Sequence, residues 1–159
     1  MWLTQLIQKV FSEGINEKDS ISAMALLRNS DVSLLGNVVI ATELQRLYVL
    51  DSYGHSIISR RTIPFTACIV LAHGAMTDKH VIVCIGREGE LCLYMQNDHN
   101  DPTERINTST RVISAHLSFP DMVIVGADQT VAHHLLSNSN FKMMAKKYTL
   151  KLGQQPLKA

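Results

Sequence analysis

Short apolar runs separated by polar turns repeat along this chain at a nearly constant interval. Val38–Thr42, Val81–Ile85 and Met122–Gly126 are each followed by a polar turn and a second apolar run. Aligned at positions 39, 82 and 123, the runs lie 43 and 41 residues apart, close to the roughly 40 to 45 residues of a four-stranded propeller blade. The repeat predicts an all-β chain, a partial β-propeller of about three four-stranded antiparallel blades.

The same alternation of apolar runs and turns predicts the strand boundaries. We expect a propeller segment over residues 19–159, with blades at about 19–62, 63–110 and 111–152. The second strand of each blade is apolar at consecutive positions, so both of its faces should be buried between neighbouring blades. The predicted strands are Ile21–Leu27, Val38–Thr42, Arg46–Leu50 and Ser56–Arg61 in the first blade; Phe65–Ala72, His80–Ile85, Leu91–Gln96 and Thr103–Ile106 in the second; and Val112–Leu117, Met122–Gly126, Thr130–Leu136 and Phe141–Leu150 in the third.

Two glycines and an aspartate mark tight turns between these strands. Gly89 and Gly54 each lie between two predicted strands, where glycine can take the positive φ that a tight hairpin requires. Asp51 ends a strand just before the second of these turns. We expect its carboxylate to accept a hydrogen bond from the backbone of the turn.

The first 18 residues have helical instead of strand periodicity. Apolar side chains recur at helical spacing over Leu3–Phe11, and Gly14 follows closely enough to end a helix. We expect a short amphipathic N-terminal helix and a linker over residues 1–18. Lys9 is the single lysine on its polar face, which favours packing on protein over lying on a membrane surface. No basic segment precedes it, so a secretory signal is not expected.

Composition narrows the classes of partner. The chain is 46% hydrophobic, and its 15 basic and 14 acidic side chains leave a net charge of +1. This balance gives no electrostatic reason to expect nucleic acid as a partner. No apolar run approaches the roughly 20 residues that span a bilayer. Cys68, Cys84 and Cys92 lack metal or redox spacing, which favours reduced, packed thiols.

Candidate chemistry is sparse. His133 and His134 are neighbours on a predicted strand and should point to opposite faces, which favours strand packing over a shared metal. His73 and His80 flank a turn that contains Asp78; a metal site is one interpretation, and a solvated hairpin is the favoured one. No phosphate-loop, zinc-protease, nucleophile-elbow or calcium-loop motif occurs. We predict no catalytic residue, no cofactor and no metal.

Basic residues mark two predicted outer strands. Arg60 and Arg61 end the first blade, and Lys146 and Lys147 lie in the third, with Lys142 and Lys151 nearby. Positive charge on an outermost strand discourages edge-to-edge pairing, and this interpretation is favoured. Binding of an anionic partner or membrane surface is the alternative.

Three blades leave two sheet faces open. A four-stranded sheet of five-residue strands has a face of roughly 300 Å². If half of it is apolar, leaving it in water costs about 4 kcal/mol. We therefore expect part of a larger propeller, or a chain that needs a partner.

A series of segments, taken in chain order, resembles one known family. These segments are Asp19–Ile21, Thr42–Glu43, Leu47–Asp51, Arg87–Leu91 and Val123–Gly126, followed by Gln129 and His133. They resemble successive parts of the Bardet-Biedl syndrome 1 protein family, whose members are BBSome subunits. The resemblance extends from about Leu3 to Ala159, and it rests on the ordered series because no single motif is diagnostic.

The resemblance implies a seven-bladed propeller within a larger subunit of an octameric, coat-like complex that moves membrane proteins into and out of cilia. It implies other BBSome subunits, an Arf-like small GTPase and membrane-protein cargo as partners, with peripheral membrane association through the complex. The implied locations are the cytoplasm, the cilium and the ciliary basal body. The family's GTPase contacts lie largely on blades outside the matched stretch, so no binding residue is carried over. A fragment, a truncated gene model and a true short form all stay open.

The sequence supports two hypotheses about function. The first is a non-enzymatic protein-interaction module, a part of a BBSome subunit acting in ciliary membrane-protein trafficking and cilium assembly. The alternative is a fragment of a quinoprotein-like propeller enzyme. Such an enzyme should have tryptophans recurring blade by blade, whereas Trp2 is the only tryptophan here. This difference favours the interaction module.

Overall fold

The chain folds into three four-stranded antiparallel sheets. The computed structural model describes residues 19–28, 36–95, 102, 104–136 and 143–151. In each sheet the strands are hydrogen-bonded in chain order, as in the blades of a propeller. The strands are β1 Ile21–Leu27, β2 Asn37–Thr42, β3 Arg46–Leu50, β4 Ile57–Thr62, β5 Ala67–Gly74, β6 His80–Gly86, β7 Glu90–Met95, β8 Glu104–Asn107, β9 Val112–Ser118, β10 Asp121–Gly126, β11 Thr130–Leu136 and β12 Met143–Lys151.

The predicted fold is confirmed, and three strands, β1, β3 and β11, have the predicted boundaries. The largest shifts are two residues. One is in β5, which begins at Ala67 instead of Phe65; Phe65 packs against the adjacent apolar cluster instead. The helix expected over residues 1–18 lies outside the described residues.

Two apolar clusters join the three sheets face to face. The first cluster lies between the first and second sheets and includes Val39 of β2, Ile82 of β6 and Tyr94 of β7. The second lies between the second and third sheets and includes Val83 of β6 and Ile124 of β10. Because successive side chains of a strand point to opposite faces, β6 contributes to both clusters. All seven of its residues are buried.

The same turn connects the second and third strands of every blade. Gln45, Gly89 and Gln129 occupy equivalent positions and have φ values of 61°, 98° and 65°. Each donates its N–H to the carbonyl three residues earlier, over 3.1, 3.3 and 3.1 Å respectively. The positive φ predicted at Gly89 is confirmed, as is that at Gly54, with φ 68°. Two glutamines take the same conformation without the freedom of glycine.

The outward faces of the first and third sheets are less completely buried. On the first sheet, Met24 is 44% exposed and Leu26 is 53% exposed, although Ile40 on the same face is fully buried. On the third sheet, burial alternates along β10, so that Met122 and Ile124 are buried while Val123 and Val125 are only half-buried. The expectation that second strands are buried on both faces is correct for β6 and for residues 39–42 of β2, and it is wrong for β10.

Candidate interaction surfaces

His133 and His134 lie on opposite faces of β11, as predicted. His134 is buried on the side that faces the second sheet. His133 lies on the outward face, where its Nε2 is 2.6 Å from Oδ1 of Asp121 on β10. The outward face of the third sheet therefore carries a histidine–carboxylate pair between half-buried valines. We name this surface, formed by Asp121, Val123, Val125, Val131 and His133, the β10–β11 face.

The histidines that flank the β5–β6 turn have separate structural roles. His73 is exposed and stacks on Phe119 at a centroid distance of 4.6 Å. His80 is buried and pairs across the hairpin with Gly74. Asp78 lies in the turn, where its N–H donates to the carbonyl of Ala75. Among the described residues, no group of three or more His, Cys, Asp or Glu side chains is placed to hold a metal ion.

Two aspartates stabilise turns through short hydrogen bonds. Asp51 accepts a 2.7 Å bond from the His55 N–H and a 2.9 Å bond from the Ser56 hydroxyl, which confirms the expected capping of that turn. Partial burial of the Asp51 carboxylate opposes ionisation, but these hydrogen bonds prevail and lower its pKa. Asp128 accepts a 2.6 Å bond from the Thr130 hydroxyl, which lowers the Asp128 pKa. Both aspartates therefore have structural partners.

The three cysteines are unoxidised. Cys84 and Cys92 are direct cross-strand partners on β6 and β7 and are almost completely buried. Burial raises the pKa of Cys92 to about 11 and raises that of Cys84 further. Cys68 is half-buried, and burial likewise raises its pKa. All three therefore remain protonated near neutral pH, which is unfavourable for nucleophilic or redox chemistry.

The two arginines of β4 differ in their surroundings. Arg60 is exposed, whereas Arg61 is only 8% exposed. The Arg61 guanidinium donates to the Met95 carbonyl over 3.0 Å and lies 5.6 Å from the centre of the Tyr94 ring. The Tyr94 hydroxyl in turn donates to the Thr62 carbonyl over 2.8 Å. Arg61 thus links the first sheet to the second, a contact that sequence reasoning missed because an Arg-Arg pair does not show which arginine turns inward.

Further basic residues lie in or near the last strand, β12. Lys142 lies outside the described residues. Lys146, Lys147 and Lys151 belong to β12, whose backbone pairs with β11. Their proposed roles, protection of an outer edge or attraction of an anionic partner, stay predictions.

Concave sites lie on the last two strands of the first and second sheets. One, of about 360 Å³, is bounded by Phe65, Glu90, Cys92, Arg105 and Ile106. The other, of about 140 Å³, is lined by Arg46, Tyr48, Arg60, Arg61 and Thr62.

Among the residues that the structure describes, there is no helix long and apolar enough to cross a membrane. The geometry offers apolar sheet faces with charged rims, an arrangement typical of protein contacts.

Comparison with protein families identifies one match. The family described as ciliary BBSome complex subunit 1 matches residues 3–94, which is more than half of the chain. The matched stretch includes the first blade and the second blade as far as β7. No curated protein matches the sequence significantly.

Several solved structures have a similar fold. A crystal structure of BBS1N in complex with ARL6DN, soaked with lead, superposes with a TM-score of 0.71 at 15% identity, covering 84% of this chain and 38% of that one. Kluyveromyces lactis Hsv2 has a TM-score of 0.56 at 15% identity, covering 86% of this chain and 38% of that one. The computationally designed Ika4 protein has a TM-score of 0.54 at 11% identity, covering 82% and 74%. This chain thus spans well under half of the BBS1N chain, and at these identities the likeness establishes the fold.

Proposed function

The chain belongs to the family of ciliary BBSome complex subunit 1, and we propose that it acts as a non-enzymatic interaction module in ciliary membrane-protein trafficking and cilium assembly. The observation that carries the proposal is the family match over residues 3–94. The propeller-like sheets support it, because a propeller presents rigid edges and loops on which partners can dock. Function would then depend on binding and not on turnover.

The proposed partners are other BBSome subunits, an Arf-like small GTPase and membrane-protein cargo. The similarity to BBS1N, whose crystal structure contains ARL6DN, supports the GTPase. Because this chain covers 38% of BBS1N, we propose no GTPase-contacting residue. The proposed locations are the cytoplasm, the cilium and the ciliary basal body, with membrane association through the complex.

The proposed domain organisation has an N-terminal helix and linker over residues 1–18 and blades at 19–62, 63–110 and 111–152. The three sheets support the blade boundaries, because the strands of each fall within one of these ranges. Val123 and Val125 on the β10–β11 face correspond to Val83 and Ile85 of β6, which pack in the cluster between the second and third sheets. We propose that this face packs against a further blade or a partner subunit. The quinoprotein-like enzyme is disfavoured by the family match.

The test is affinity purification of the tagged full chain from ciliated cells, followed by mass spectrometry. We expect BBSome subunits among the recovered proteins, and retention of the Arf-like GTPase when it carries a GTP analogue but not GDP. A variant with Val125→Asp on the β10–β11 face should recover fewer subunits. Ala127→Asp, which adds the same charge at an exposed turn, is the matched control. Recovery of no BBSome subunit, or of bound quinone or calcium, would contradict the proposal.

A further inference from the structure

Two exposed arginines flank a small concave site on β3 and β4, the last two strands of the first sheet. Arg46 begins β3, and Arg60 lies near the end of β4. Together with Tyr48, Arg61 and Thr62 they line a space of about 140 Å³, which we name the arginine groove. Neither the family match nor the similar structures assign a role to it.

The strand register brings four of these side chains to one face. Arg46 is the cross-strand partner of Thr62, and Tyr48 is the partner of Arg60. Residues that face each other in an antiparallel pair point to the same side, and diagonal neighbours are about 7 to 8 Å apart. The guanidiniums of Arg46 and Arg60 can therefore converge on one small ligand.

The opposite face of β4 holds this arrangement in place. Arg61 points to that face, where its Nη2 bonds to the Met95 carbonyl on β7. Tyr48 is only 4% exposed, although it lines the groove. The floor of the groove is therefore fixed by packing, while the two arginines at its rim are free to adjust to a ligand.

The two arginines at the rim of the groove concentrate positive charge there. Within the described part of the chain, no carboxylate lies within ion-pair distance of Arg46 or Arg60. Arg46 and Arg60 are diagonal neighbours, and their like charges repel each other. A bound anion would remove that repulsion and gain charge-assisted hydrogen bonds.

We propose that the arginine groove binds a phosphate group, with the Arg46 and Arg60 guanidiniums as its principal ligands. Guanidinium forks match phosphate oxygens in a bidentate geometry, and the hydroxyls of Tyr48 and Thr62 are further potential donors. The volume favours a single oxyanion over a peptide, because pockets for larger ligands are about 300 to 1,000 Å³. Inorganic phosphate and a phosphorylated lipid headgroup share this chemistry.

The test measures binding of two probes to the full chain. Inorganic phosphate is titrated by calorimetry, and vesicles of phosphatidylcholine with and without phosphatidylinositol 4-phosphate are used in flotation. The double variant Arg46→Gln and Arg60→Gln should weaken binding at least about tenfold, because hydrogen bonds between charged groups are among the strongest in proteins. Arg87→Gln with Arg111→Gln removes the same charge from exposed sites elsewhere, and should change binding less than about twofold.

The results with the two probes distinguish a soluble phosphate ligand from a lipid headgroup. Binding of phosphate alone identifies a soluble ligand, and binding of the phosphoinositide vesicles alone identifies a lipid headgroup; either supports the proposal if the groove variant weakens it. Arg60→Lys keeps the charge but loses the fork, and should retain part of the affinity while circular dichroism confirms folding. No binding of either probe, equal losses in the control variant, or tighter binding of a polyglutamate peptide would overturn the proposal.

Discussion

Strands β6 and β10 hold the same place in their blades and have similar sequences, but their side chains lie in different surroundings. Every residue of β6 is buried, because the second sheet is packed between the first and the third. Along β10, burial alternates between buried and half-buried positions. A run of apolar residues therefore indicates that both faces of a strand can be buried, whereas the tertiary packing around the strand decides whether they are.

The comparison assigns different costs to Val83 and Val123. Each lies three residues before the glycine whose carbonyl accepts the turn hydrogen bond, so the structure makes position 83, and not position 82 as aligned from the sequence, equivalent to 123. Val83 of β6 is fully buried in the cluster that joins the second and third sheets. Val123 of β10 is half-buried on the outward side and is the cross-strand partner of His133. Part of the apolar surface of Val123 is exposed to water, and a neighbouring blade or partner can cover it.

The largest expected effect comes from placing a charge at these two positions. Val83→Asp should prevent folding, since an unpaired buried charge costs about 3 to 5 kcal/mol or more, a large part of a typical total stability of about 5 to 15 kcal/mol. Val123→Asp should leave the chain folded, because its carboxylate can remain in water near His133. Circular dichroism and soluble yield measure both, and equal damage from the two variants would show that the β10–β11 face is covered.

A smaller effect is expected from cavities. Ile82→Ala should lower the free energy of unfolding by about 2 to 5 kcal/mol, because Ile82 is fully buried between the first two sheets. Ile113→Ala in the third blade is the control, and should cost less than about 0.5 kcal/mol because Ile113 is 64% exposed. Urea denaturation gives both values. Similar values would contradict the difference between the blades.

The hairpin turn of the second blade should be more sensitive than its counterparts. Gly89→Val should cost at least about 1 to 2 kcal/mol, because a left-handed conformation is unfavourable for a residue with a Cβ. A Cβ at Gly89 would also lie 2.5 Å from the Thr108 hydroxyl oxygen and the Thr110 carbonyl oxygen. Thermal unfolding followed by circular dichroism measures the loss. An unchanged melting temperature would be inconsistent with a φ of 98° at this residue.

The smallest effect, of opposite sign, is expected at the equivalent turn of the third blade. Gln129→Gly should change the free energy of unfolding by only a few tenths of a kcal/mol towards greater stability. Relief of the positive φ of 65° is largely offset by the greater entropy of glycine in the unfolded chain. Differential scanning calorimetry of the variant and the parent resolves the shift. A clear loss of stability would show that the Gln129 side chain itself supports the turn.

Local patterns were sufficient to predict the strands and the glycine turns. Alternation and turn residues act between neighbours in the chain, so β1, β3 and β11 could be bounded from the sequence alone. The turns at Gln45 and Gln129 were harder to predict, because glutamine does not signal a positive φ. The Arg61–Tyr94 contact could not be predicted at all, because it joins residues on different blades.

On the candidate surfaces, too, some features were predictable from the sequence and others were not. The opposite orientation of His133 and His134 follows from strand geometry, and it was predicted correctly. The pairing of His133 with Asp121 and the convergence of Arg46 with Arg60 depend on strand register, which is set by whole hairpins. None of these four residues belongs to a recognisable sequence motif.

The repeat of apolar runs and turns was enough to define three blades, because strand periodicity and turn conformation are local properties of the chain. Only the tertiary structure decided which faces are buried, which arginine turns inward and which polar groups meet. Those outcomes depend on how one sheet packs on the next, and side chains that are distant in sequence contribute to every such contact.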